Sequence, residues 1–443
     1  MEMNLMVLST KSSKSVQKGY FLKDLVNLFR YSFVTPDPDK ADLCAAQIVQ
    51  RTERLTIIFQ VLRNGLDQNN SSNVNTFGYR RYNWLDWIIA IVALINWFRC
   101  IGLICNSSDT VNIILGDPLF RSKDRLACII LAFITLTVLF SFREWILSLE
   151  NKGNIGTLSI WKFCRYSFNP VYLEMDKLNV NRFRLIVISV SVVSYCTIFI
   201  GPLFASFVFI IPLLTNPWMN KIPELLFFCF LWSLSEIFIA SFLLSAVLGF
   251  SWYLICTFSF HSYRLLNLIY KADYLKNSTA AVYARDVQLL CLLIIRRLNS
   301  FELAVRKVRY VILYICIVLT LLCDTFIFLG LIVRVYNDFL ANLLATVGIF
   351  GLPSIGVFGY IFGNFISELD KLTVRLHRLA LNNKLSLKET SKVLEVMDRV
   401  AGPYNGLKVG DFLTVERSFF IFYVLENITT LMLFTVNIGP LIK

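Results

Sequence analysis

LLFFCFLWSLSEIFIASFLLSAVLGFSWYLICTF, residues 225–258, contains a single charged side chain, Glu236. A hydrocarbon core about 30 Å thick is crossed by roughly 20 apolar residues in an α-helix. The run is longer than that, so it predicts a helix that crosses a bilayer and continues as a packed helix beyond it. Helix is the expected conformation because lipid offers backbone N–H and C=O groups no partners, and a helix satisfies them internally. A membrane β-barrel would show short segments of alternating hydrophobicity, and the sequence has none.

Working outward, further runs of this kind give seven spans, at about 84–105, 126–148, 185–213, 224–258, 310–333, 339–366 and 417–438. Composition agrees. Of 443 residues, 56% are hydrophobic and 16% charged, with 38 Phe, whereas soluble domains carry about 25% charged residues. The mean hydropathy is +0.62. The expected fold class is all-α, a seven-transmembrane helical membrane protein: a seven-helix domain over 84–438 preceded by a segment over 1–83. The opening residues, MEMNLMVLST, carry an acid and too short an apolar core for a secretory signal, so insertion is expected to rely on the first internal span.

Lys and Arg in the flanks predict the orientation. Segments 1–83, 149–184, 259–309 and 367–416 hold 34 of them, against 6 in 106–125, 214–223, 334–338 and 439–443. The N-terminus is thus expected to be cytoplasmic and the C-terminus extracellular. The positive-inside bias also accounts for the net charge of +13 without nucleic acid. The sequon at Asn106 falls in the first outside loop, where glycosylation is expected; those at Asn69, Asn70 and Asn277 fall inside. The stretch 19–33 spaces Leu22, Leu25, Val26 and Phe29 on one face, as an interfacial helix would. Segments 259–309 and 367–416 mix apolar and basic residues at helical spacing, which predicts helices extended into a cytoplasmic anchor region, with one start at Ser386 and a breaker at Gly402-Pro403.

Several chemistries are excluded. The 11 cysteines are scattered without a CxxC pair, and His261 and His377 are the only histidines; zinc sites and disulfide frameworks both need clustered ligands. No metal or other cofactor is expected. No Gly-rich phosphate loop, HExxH or GxSxG occurs, and the spans hold no His/Asp/Ser grouping, so the chain does not read as an enzyme. Transporters favour two similar halves, and seven spans do not divide. In the sixth, Gly348, Gly351, Gly356, Gly359 and Gly363 favour close helix packing over a carbonyl-lined filter.

Arg99, Glu236 and Asp324 are intramembrane charges with two readings: the floor of a ligand pocket, or internal pairs that fix helix packing. The outer-half aromatics, among them Phe204, Phe207, Phe230, Trp232 and Phe350, either line a pocket for an apolar ligand or face lipid and core. In the seventh span, YVLENITTLMLFTVN (423–437), Glu426, Thr430, Leu433 and Asn437 share one helical edge. A narrow polar edge in a membrane implies that it does not face lipid. A symmetric ring of such edges would line a pore, with acids attracting cations and leucines gating by dewetting. The other reading pairs Glu426 with Arg417 or another span.

The inverted seven-span plan, short outer loops and basic inner loops resemble the insect gustatory and odorant receptor superfamily. The family's signature surrounds its last helix: a Gly-x-Phe turn, then Thr-Tyr, five hydrophobics and Gln-Phe. Here Gly410 and Phe412 match the turn and Thr429 the threonine, while Thr430, Val436 and Asn437 stand in the Tyr, Gln and Phe places. The chain is similar to a divergent gustatory-receptor-like member. The resemblance implies a homotetrameric or heteromeric ligand-gated cation channel in the plasma membrane. Its central pore would be lined by the last helix, with Leu433 and Val436 near a hydrophobic gate and Thr430 and Asn437 on the conduction path. Its small-molecule ligand would bind in an outward-facing pocket of each subunit. The departures leave open a non-conducting binding or scaffold protein with the same fold.

Overall fold

The computed structural model describes residues 21–31, 38–63, 65, 84–155, 164, 167–275, 280–381, 385–402, 405–416 and 418–437. The sequons at Asn69, Asn70 and Asn277 and the candidate partner Arg417 lie outside them. Helices α1 (Phe21–Phe29) and α2 (Pro38–Ile58) precede α3 (Trp84–Cys105), α4 (Asp109–Ile114), α5 (Arg125–Asn151) and the single turn α6 (Pro170–Leu173). Then come α7 (Lys177–Thr215), α8 (Pro223–Leu275) and α9 (Ala280–Tyr314). The last of these passes through a π-helical turn, Ile315–Leu319, into α10 (Thr320–Ile327) and a second π turn, Phe328–Val333. The chain ends with α11 (Asp338–Ala380), α12 (Leu387–Ala401), a hairpin of β1 (Lys408–Val409) and β2 (Leu413–Thr414), and α13 (Phe419–Asn437). Seven helical units among the described residues are long and apolar enough to cross a membrane: α3, α5, α7, α8, α9–α10, α11 and α13.

The bundle is sided as a membrane protein should be. On α3, Trp84, Trp87, Ile88, Ile91, Ile95 and Phe98 face outward, while Asp86, Asn96 and Arg99 are buried against neighbours. Lipid is as apolar as leucine, so association rests on close packing and internal polar contacts. Glycines of α11 supply the first. A Cβ on Gly348 would lie 2.6 Å from the Cys323 carbonyl oxygen, and one on Gly359 would lie 2.4 Å from the Phe419 ring. These helix faces therefore approach α10 and α13 where only hydrogen fits. The helix runs unbroken through Pro353, so its carbonyls stay in the helical ladder, save that of Ile349, to which Pro353 offers no N–H, and the filter reading fails.

Helix α8 divides into two environments. In its first half Phe227, Phe230, Leu231 and Leu234 are exposed. In its second half Phe250, Trp252, Tyr253, Leu254, Cys256 and Phe258 are all fully buried. They join Leu372 and Leu376 of α11 and Val393 and Val396 of α12 in one core at the basic end of the bundle. Ser386 starts α12, its backbone N–H donating to Glu389 Oε2 at 2.9 Å. A short crossing before α7 is tied to the same core: Glu174, with φ +53°, accepts from Arg264 and Arg297.

Within residues 1–83 the sequence marked only an interfacial pattern, and the structure assigns the faces differently. Phe21, Leu25 and Leu28 turn inward, with the Phe21 ring stacked on Tyr195 at 3.7 Å, while Leu22 and Val26 face out. Helix α2, polar enough to look soluble, is wedged between α7 and α8. Asp42 near its start pairs with Arg184 at the basic end. Further along, Thr52 donates to the Ser191 carbonyl, the hydroxyls of Thr56 and Tyr253 lie 2.9 Å apart, and Phe59 meets Phe242 at 5.8 Å.

Asp86 fastens this wedge to the spans. Its two carboxylate oxygens accept from Arg63 Nε and Arg143 Nη2, both at 2.7 Å, and Arg143 is almost wholly buried. The Arg63 backbone N–H and its Nη1 also reach Glu150 and Asn151 on α5. Removing one partner from a buried ion network leaves uncompensated charge, at a cost of about 3–5 kcal/mol. Asp86→Ala should therefore destabilise the detergent-purified protein by that margin, read as a lowered thermal midpoint; an unchanged midpoint would show that both guanidinium groups are satisfied elsewhere. Glycine contacts give a paired test. Gly348→Ala forces two backbones apart and should destabilise by about 1–3 kcal/mol. Gly201→Ala, whose Cβ would meet nothing nearer than Leu244 at 3.9 Å, should be neutral or stabilising by up to about 1 kcal/mol. Equal midpoints for the two variants would refute the close-approach argument.

Candidate functional site

The last helix is held by one narrow face. Of α13, only Tyr423 and Asn427 are buried. The Tyr423 hydroxyl lies 3.1 Å from Thr320 Oγ1, and Phe434 meets Phe328 edge-on at 5.6 Å. The entry to the helix is set by Gly410, whose φ of +62° favours glycine and whose N–H donates to the Arg309 carbonyl at 3.0 Å. The hairpin thus clips the start of α13 to the start of the fifth span.

Phe419, Phe420 and Leu431 flank this face, and most of the remaining side chains of α13 are exposed. Phe422, Leu425, Ile428, Met432, Leu433 and Val436 are exposed apolar side chains. The edge singled out in the sequence borders the packed face: Glu426, Leu433 and Asn437 are exposed, and Thr430 is half-buried, its hydroxyl donating back to the Glu426 carbonyl at 3.0 Å. Among the described residues Glu426 makes no ion pair. Asn427 was not assigned a role from sequence. It lies on the packed face, where its amide donates to the Tyr423 carbonyl.

The eight side chains expected to line one pocket do not converge. Arg99, Trp232 and Glu236 do meet. Arg99 pairs with Glu236, donates from Nε to the Leu115 carbonyl at 2.6 Å and from Nη2 to the Gly116 carbonyl, and packs over the Trp232 ring at 5.0 Å. This node joins α3, the end of α4 and α8, and each of the three guanidinium nitrogens already bonds within the chain. Gly116, with φ +58°, lets the loop backbone come close enough to be gripped. Asp324 is buried elsewhere, between α10 and α13. Phe207, Phe230 and Phe350 are exposed on outer faces, and Phe204 is half-exposed.

A concavity does exist at the end opposite the basic core. A cleft of about 430 Å³ is walled by Phe120, Arg121, Asn216, Trp218, Tyr336 and Asn337. Arg121 sits over the Trp218 ring at 4.6 Å. The Tyr336 hydroxyl is 3.0 Å from Thr215 Oγ1, its N–H donates to Asp124 at 3.0 Å, and Asn216 donates to the Pro118 carbonyl at 3.1 Å. Sequence reading missed it because its walls come from three separate short loops. The available signal was an aromatic residue in each loop. Asn106 lies near the same end, its side chain accepting from the Ser108 N–H at 2.9 Å.

No protein-family model matches the sequence, and no curated protein matches it. Solved structures do. The chain is similar to the insect olfactory receptor OR5 from Machilis hrabei, with a TM-score of 0.57 and 13% identity over 88% of this chain and 98% of that one. The same receptor in complex with eugenol aligns with a TM-score of 0.56. At this identity the likeness speaks to architecture. The chain has the seven-helix fold of a solved insect olfactory receptor.

Proposed function

We propose that this chain is a subunit of a chemosensory, ligand-gated, non-selective cation channel of gustatory-receptor-like type in the plasma membrane. Four subunits, identical or related, surround a central axis lined by α13, with the N-terminus cytoplasmic. The observation that carries the reading is the free face of α13. An apolar helix with a polar edge, packed on its own chain through one narrow face, is built to complete its surroundings with other copies. In this arrangement Glu426, Thr430 and Asn437 face water, and Leu433 and Val436 form the constriction. The basic ends of α8, α9, α11 and α12 form the anchor through which subunits meet. Ligand enters from the opposite, extracellular end, where the three-loop cleft opens.

Mass measurement in mild detergent tests the assembly: a tetramer is expected, and a strict monomer removes the ring on which the pore depends. With currents in hand, Leu433→Ala should raise resting leak and Glu426→Gln should reduce cation preference; an active channel unchanged by either sinks these assignments. A tetramer silent under every ligand and voltage would instead favour the non-conducting binding or scaffold reading. Orientation has its own test, because Asn106 should carry glycan removable by a glycosidase and lost in Asn106→Gln. An unshifted band on the extracellular assignment would contradict it.

A further inference from the structure

Asp324 is an acid in the middle of α10 that bonds to nothing. It is 2% exposed, takes part in no hydrogen bond or ion pair among the described residues, and its Oδ1 is wholly buried. Across from it on α13, Asn427 is 6% exposed. Its Nδ2 is spent on the Tyr423 carbonyl, which leaves its Oδ1 buried without a donor as well.

The two helices run in the same direction, and two contacts fix their register. Thr320 meets Tyr423 at 3.1 Å, and further along Phe328 meets Phe434 at 5.6 Å. Between these two contacts Asp324 falls opposite the stretch 427–430 of α13, of which Asn427 alone is buried. Asp324 lies on a regular α-helical segment bracketed by two π turns, and such turns are frequent at functional sites.

Two bare acceptor oxygens opposed in a dry interface repel unless something positive lies between them. No side chain supplies it. α11 carries no charged residue between Asp338 and Glu368. On α13 the groups nearby are Tyr423 and the exposed acid Glu426, and on α10 itself the neighbour is Cys323. A metal ion would need several more oxygens, and the described residues hold no cluster of His, Cys, Asp and Glu able to bind one. A single proton suffices, because an unpaired carboxylate in a low-dielectric site is far costlier than the neutral acid.

We propose that Asp324 is held as the neutral carboxylic acid and donates its proton to Asn427 Oδ1, forming a proton-dependent latch between the fifth span and the last helix. Ionising the acid removes the one donor and sets a negative charge against two acceptors, so the latch opens on deprotonation. The inference rests on the packing of α10 against α13 and needs no conducting pore. Its test is therefore an infrared difference spectrum, wild type minus Asp324→Asn, of the full chain in lipid nanodiscs at pH 7. The carbonyl stretch of a protonated carboxyl is expected in the wild type and absent in the variant. Asn427→Val, compared directly with wild type, should move that band to higher frequency and serves alone if Asp324→Asn does not assemble. Carboxylate bands in place of the acid band, or an acid band indifferent to Asn427→Val, would overturn the latch.

Discussion

A helix of 53 residues is about 80 Å long at 1.5 Å per residue, and a bilayer covers only about 30 Å of it. The surplus of α8 sets the terms for the rest of the molecule. Outside lipid, that surplus exposes Trp252, Tyr253, Phe258 and Phe260 unless protein covers them. The lower parts of α9 and α11 and the whole of α12 do so. One protein thus contains two solvents' worth of design: an oily exterior over the spans, and a water-type core of buried aromatics at the basic end.

Polar groups do opposite work in the two regions. Among the spans they are rare and act as nodes, as when Arg99 gathers Glu236 and two loop carbonyls, or Asp86 gathers two arginines. Each node joins elements distant in sequence. Around the basic core, charges such as Arg264 and Arg297 on Glu174 sit at the edge and fasten crossing segments to it. Helix α13 takes part in neither scheme. It touches its own chain through Tyr423, Asn427 and Phe434, and is the least embedded of the seven spans.

What was legible in the sequence follows from this division. Long apolar runs with rare charges announce spans, because the bilayer imposes length and composition one segment at a time. The small-residue face of α11 was legible for the same local reason, whereas the Gly410 turn was marked only by the family resemblance. Helix α2 was not, since its burial depends on a slot formed by two partners, and its own composition of acids, arginines and short side chains looks soluble. The cleft at the end opposite the basic core was hidden because Phe120, Trp218 and Tyr336 belong to loops that only the fold assembles. Arg99 and Glu236 were visible as charges, yet whether they pair or receive a ligand depends on where the Leu115 and Gly116 carbonyls point.

The placement of α2 constrains how the protein is made. Its residues include Asp39, Asp42, Arg51, Glu53 and Arg54, too many charges to enter a bilayer unaided. The two walls of its slot, α7 and α8, leave the ribosome more than a hundred residues later. Helix α2 can therefore reach its buried place only once these later spans have been made. Its docking also brings Arg63, just past its end, to Asp86.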